Sequence, residues 1–101
     1  MRSSCVKTAL IATLGPGLAA ACGRHASAAD CSALLDRYVE LLVREQSPSA
    51  DDGEIAAQQR ATREKAAHDA SFASCPNEVR ASAVRCAMSA PSVDEFEKCI
   101  E

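Results

Sequence analysis

The chain has 101 residues, six of them cysteine and three aromatic, with 14 acidic residues against 11 Lys and Arg for a formal net charge of −3. A surplus of acid is the wrong sign for nonspecific phosphate binding, where basic side chains displace counterions, so nucleic acid is not an expected partner. The small size and scarce aromatics also exclude a large core: such a domain buries too little apolar surface for a generous stability margin and needs covalent staples.

At the N-terminus, Arg2 and Lys7 precede the apolar residues Ala9, Leu10, Ile11, Ala12 and Leu14. A basic n-region, a short apolar stretch and small residues together predict a cleavable export signal over residues 1–21. Gly15, Pro16 and Gly17 interrupt the stretch, which falls short of the roughly 20 apolar residues of a membrane span. Leu18-Ala19-Ala20-Ala21-Cys22 resembles the lipobox of bacterial lipoproteins, in which small residues precede a cysteine that is acylated on sulfur and becomes the new N-terminus. The large aliphatic residue that the lipobox carries three places before its cysteine is Ala19 here, with Leu18 one place earlier. The resemblance implies lipidation at Cys22, with palmitate-type acyl chains enough for a lasting membrane anchor, and Gly23 in the next position implies outer-membrane sorting. Ordinary cleavage after Ala21 or Ala28 would instead release a soluble protein. Without residues 1–21 the chain keeps 14 acids but loses Arg2 and Lys7, for a formal charge of −5.

Residues 22–29 are expected to serve as lipid attachment and tether, and residues 30–101 as a helical domain with two disulfides. Asp30 is the expected cap of the first helix. Cys31, Leu34, Leu35, Tyr38, Leu41 and Leu42 recur at three- and four-residue steps, which predicts about 16 helical residues with one apolar face; Val39 and Val43 widen it, and Asp36, Arg37, Glu40 and Arg44 are expected to face away. Ser47-Pro48-Ser49 breaks this helix, and Asp51 or Asp52 can cap the next. Helix-forming residues then run over 53–74 with two rival seams, Ile55, Thr62, Ala66, Ala70 and Ala73 or Ala61, His68, Phe72 and Cys75. Pro76 suits the first turn of a third helix whose face carries Val79, Ala83 and Cys86, with Met88 adjoining. After Pro91, Ser92 and Glu95 form a predicted capping box for a last short helix burying Val93, Phe96, Cys99 and Ile100. No segment alternates as a strand does.

Export supplies the oxidising conditions for disulfides. Cys5 leaves with the predicted signal and Cys22 is consumed if lipidated, which leaves Cys31, Cys75, Cys86 and Cys99 as an even set with three connectivities; unmodified, Cys22 would leave an odd thiol. An antiparallel hairpin around Pro48 brings Cys31 near Cys75, and a turn near Pro91 brings Cys86 near Cys99, which selects that pairing. There is no CxxC, the local basis of a thioredoxin-like exchange centre.

Chemistry-bearing patterns are sparse. His25 and His68 lie too far from each other and from any tight cysteine pair to form a zinc ligand set, and Asp51, Asp52 and Glu54 lack a calcium-binding loop but suit a helix N-terminus. No serine has a Gly-x-Ser-x-Gly setting or a histidine and acid placed beside it. The charged run Arg60, Arg63, Glu64 and Lys65 reads as a solvated helix face, and Tyr38, Phe72 and Phe96 as fillers of a small core rather than a cleft. No catalytic residue, metal ligand or cofactor is expected.

These features predict an all-α fold, a disulfide-stapled bundle of three to four helices arranged as two consecutive helical hairpins. With the lipobox-like segment, Cys31, Cys75 and the stretch from Cys86-Ala87-Met88-Ser89-Ala90 to Glu95-Phe96-Glu97-Lys98-Cys99, the chain resembles small cysteine-paired helical lipoproteins of Gram-negative, myxobacterial-type bacteria. That likeness names no activity. The expected function is an envelope-anchored, non-enzymatic module for protein interaction or structural support, facing an envelope or periplasmic partner. The alternatives are a soluble periplasmic or secreted accessory or inhibitor protein, and a carrier of a small ligand or metal.

Overall fold

In chain order, the elements of the computed structural model, which describes residues 24–101, are six helices: α1 (Ala28–Gln46), α2 (Asp52–Ala66), α3 (Ala70–Ala73), α4 (Cys75–Glu78), α5 (Ala81–Met88) and α6 (Val93–Ile100). The fold is an all-α, disulfide-stapled bundle with two helical hairpins, α1 with α2 and α5 with α6, and α3 and α4 as single turns between them. The predicted signal, Cys5 and the acylation site Cys22 lie outside the described residues.

α1 starts three residues before the expected position because Ser27, not Asp30, is its cap. The Ser27 hydroxyl accepts from the Asp30 amide at 3.0 Å, and the Asp30 carboxylate accepts from the Ser27 amide at 3.0 Å, so Asp30 is the reciprocal acid of a capping box. Those hydrogen bonds, from the Ser27 backbone first and its side chain second, hold the Asp30 carboxyl below its ordinary range. The helix ends where Ala50 closes a turn onto the Ser47 carbonyl at 2.9 Å. Asp51 then caps α2 with Glu54 as its reciprocal partner.

The second helix is shorter than its composition suggests. Amides of His68 and Asp69 bond back to the carbonyls of Lys65 and Ala66, closing the helix, and the Asp69 carboxylate restarts the chain as α3 by accepting from Ser71 at 2.8 Å. This break turns Phe72 and Cys75 toward α1, which a continuous helix over 53–74 would not do. Of the rival seams, the first faces α1 as far as Ala66: Ile55 is buried and Thr62 and Ala66 are half-buried, whereas Ala61 and His68 are exposed.

The third predicted helix is likewise two. Pro76 opens α4, but at Val79 the backbone becomes extended. There the Ala26 amide donates to the Val79 carbonyl at 2.8 Å and the Ala81 amide to the Arg24 carbonyl at 2.9 Å, flanking an antiparallel bridge between His25 and Arg80. The residues expected as tether are thus docked from Arg24 onward, and Ala26 is 5% exposed. Two backbone bonds to a segment that can no longer be helical explain both departures.

The main core joins Leu34 and Leu41 of α1, Val84 and Ala87 of α5, Ala90, Phe96 of α6, Ala26 and Cys31. On α5 the buried face is Val84 and Ala87, one position round from the expected Ala83 and Cys86, because Cys86 points sideways to Cys99. Arg37, expected in solvent, is half-buried: its guanidinium donates to the Ala90 carbonyl at 2.9 Å and to Glu40 at 3.0 Å, tying α1 to the end of α5. Ser92 caps α6 through the Glu95 amide, but the next free amide, Val93, is taken by Glu45 of α1 at 2.9 Å, so the cap is shared between elements. Ile100, expected to be buried, is 40% exposed at the end of α6.

Val39 and Ile55 are buried outside the main core, on the seam between α1 and α2. α2 packs substantially only against α1, which makes α1 the spine shared by both halves.

Candidate functional site

α1 presents Cys31, Leu34, Leu35 and Tyr38 along one stripe, and its N-terminal half is met by Phe72, Val79, Phe96 and Ile100 from the later elements. Together they line an open groove of about 370 Å³ floored by the Cys31–Cys75 bridge, whose Cα atoms are 6.3 Å apart. The lining is apolar except at one rim, where the Tyr38 hydroxyl donates to the Glu97 carboxylate at 3.0 Å. That hydrogen bond, together with burial, raises the phenol above its ordinary range. Tyr38 and Phe96 rings stand 5.3 Å apart at 52°, a tilted pair that fixes the wall between groove and core. Phe96 fills the core as expected, whereas Tyr38 and Phe72 are half-buried and open onto the groove.

Two further concavities are more polar. One, of about 490 Å³, lies between α1 and α2, with Leu42 and Val43 facing Glu54 and Gln58. The other, of about 540 Å³, lies beside the second disulfide, between Glu78–Arg80 and Ile100–Glu101. Cys86 and Cys99 contribute to its wall, with Cα atoms 5.7 Å apart. The expected pairing of the four cysteines is therefore the observed one, and among the described residues no cysteine is free.

Charged side chains are used mainly to set helix register. Arg63 grips Asp36 with two guanidinium nitrogens, Nε at 2.9 Å, while Gln59 donates to the Asp36 carbonyl at 3.0 Å. The Asp36 hydrogen bond raises the Arg63 pKa further. Glu40 sits between Arg37 and Arg44; burial pushes its carboxyl up, but the hydrogen bonds from both arginines outweigh that and hold it below the usual range. Arg63 thus belongs to the hairpin seam, while Arg60, Glu64 and Lys65 of the same run are exposed.

His25 and His68 are both exposed, one in the bridge and one in the turn after α2. Among the described residues no three His, Cys, Asp or Glu side chains are grouped to hold a metal ion, and no helix is long and apolar enough to cross a membrane. Sequence reasoning missed the docked Arg24–Ala26 segment and the groove. Ala26 carries no signal beyond its small size, and the groove depends on the break at 67–69, which only His68-Asp69 hints at.

The chain matches no protein-family model, and neither curated proteins nor solved structures yield a match. Fold and surface define its class as a small helical domain closed by two disulfides, with open grooves on its surface.

Proposed function

We propose that the protein is an envelope-anchored, non-enzymatic helical module that presents its outer helix faces to another protein. The observation that carries this reading is the cysteine balance: Cys31, Cys75, Cys86 and Cys99 are spent on each other, so Cys22, behind its lipobox-like segment, is left for acylation. Disulfides in a domain this small suit an oxidising compartment. α2 leaves Arg60, Glu64 and Lys65 outward, a charged strip suited to a polar partner surface. Tethering and recognition, rather than bond chemistry, form the mechanism.

The test is the intact mass of the protein from a native bacterial host, before and after reduction with alkylation. Loss of residues 1–21 with added acyl mass, and four cysteines alkylated only after reduction, is the expected result. An unacylated chain with a fifth reactive thiol, or one starting beyond Cys22, would replace the anchored reading with the soluble one. The apolar groove favours a second reading, carriage of a small apolar molecule; an apolar compound retained at one per chain in native mass spectrometry would move that reading to first place.

A further inference from the structure

We propose that one end of the domain, formed by Arg24–Ala26, Glu78–Ser82 and Ile100–Glu101, is a lipid-facing base that holds α1 pointing away from the bilayer. The inference rests on acylation of Cys22, the reading given above, and adds an orientation to it. Three chain segments converge at this end. Arg24 and Ala26 are hydrogen-bonded to Ala81 and Val79. α6 runs antiparallel to α1, since Val93 at its start bonds Glu45 near the end of α1 while Ile100 at its finish shares the groove with Cys31 near the start. Ile100 also shares a concavity with Val79, Arg80 and Ser82, which places the exposed end of α6 beside the docked N-terminal segment.

The leash is the deciding quantity. Only Gly23 separates Cys22 from Arg24, and two residues of extended chain span at most about 7 Å. Acyl chains on Cys22 lie in the hydrocarbon, so Arg24 is held at headgroup depth, and the segment bonded to it comes along. A free tether of eight residues would let the domain tumble; a leash of this length does not. The other end of α1 carries the Ser47–Ala50 turn and the exposed acids Asp51, Asp52 and Glu54, roughly 28 Å away for a helix of 19 residues. Anionic lipid repels that acidic end and tolerates the base, where Arg24 and Arg80 accompany Glu78 and Glu101. Ile100, exposed there, enters the interfacial layer.

The experiment uses the full chain processed in a lipoprotein-competent host. Intact mass is measured first, and the acylated protein is then placed in nanodiscs of phosphatidylethanolamine and phosphatidylglycerol bearing a paramagnetic headgroup label. Amide signals of Arg80, Ser82 and Ile100 should lose more than half their intensity, while those of Ser49 to Glu54 keep nearly all of theirs. Inserting six Gly and Ser residues between Gly23 and Arg24 should abolish the difference. An acylated protein with equal attenuation at both ends, or with stronger attenuation near Ser49, overturns the orientation and leaves the anchor standing. A mass without acyl groups overturns the anchor and the base together.

Discussion

Removing the two disulfides one at a time should cost the domain unequally, with Cys31–Cys75 the more expensive loss. The bridges span sequence separations of 44 and 13 residues. With the chain-entropy relation for cross-links, closing loops of those lengths destabilises the unfolded chain by about 4.0 and about 2.9 kcal/mol at 25 °C. Burial widens the gap: Cys31 is 2% exposed within the main core, whereas Cys86 is exposed and Cys99 half-buried. Cys31→Ala with Cys75→Ala therefore loses core contacts as well as the cross-link. A domain of this size has a total stability of only about 4–12 kcal/mol, so the first double variant is expected to be unfolded or nearly so at 37 °C and the second to remain folded. Urea unfolding of the oxidised protein and of each double variant, followed by circular dichroism, measures the difference. Both variants should also show steeper urea dependence, because their denatured chains expand. A larger loss from Cys86→Ala with Cys99→Ala would refute the argument that loop length and burial rank the bridges.

Tyr38 is the only tyrosine in the chain, so its ionisation can be followed by tyrosinate absorption without interference. It should titrate above free tyrosine, and Glu97→Gln should bring it back down; since the folded state favours the neutral phenol, its contribution to stability is present below pH 10 and fades as pH rises through the folded value. Ser27→Ala should cost about 1 kcal/mol in urea unfolding. It should also remove the smaller, side-chain share of what holds the Asp30 carboxyl low while the bond from the Ser27 amide survives; that share is present above the ordinary value of 3.8 and disappears as pH falls through the folded value, so the gap between wild type and variant should narrow in acid without closing, the hydroxyl cap on the Asp30 amide being independent of pH. On the hairpin seam, Ile55→Ala should cost about 2–5 kcal/mol and Arg63→Ala far less, because the first side chain is buried and the second is over half exposed in a solvent-screened pair; similar losses would show that the Asp36 grip, not the apolar seam, holds α2.

The periodic residues of α1 and the cysteine spacing carried most of the fold. Leu34 and Leu41 repeat at helical steps and end in the core, and a hairpin at Pro48 sufficed to match Cys31 with Cys75. Local rules failed where a distant segment competes for the backbone. Val79 looks helical from its neighbours, but the Ala26 amide, more than fifty residues away, donates to its carbonyl, and the Arg24 carbonyl accepts from Ala81 just beyond. Arg37 falls on the polar side of a helical wheel, yet the Ala90 carbonyl, left without a helical partner at the end of α5, draws its guanidinium inward. The groove was hidden for the same reason: Phe72 reaches it only because the helix stops at Ala66, and the two turn bonds that stop it are not a property of composition.

The turns Ser47–Ala50, Ala67–Asp69 and Ser89–Ser92 all fall inside the loops closed by the two disulfides. A single cut at any of these turns leaves the two ends joined through sulfur, so a nicked molecule sheds no fragment and its helices keep their neighbours. For a domain with little core to spare, damage at these turns becomes a change in connectivity rather than a loss of parts. Such a chain can age by taking one break in each loop while its outer surface stays in place, until a reductant separates what the backbone no longer holds.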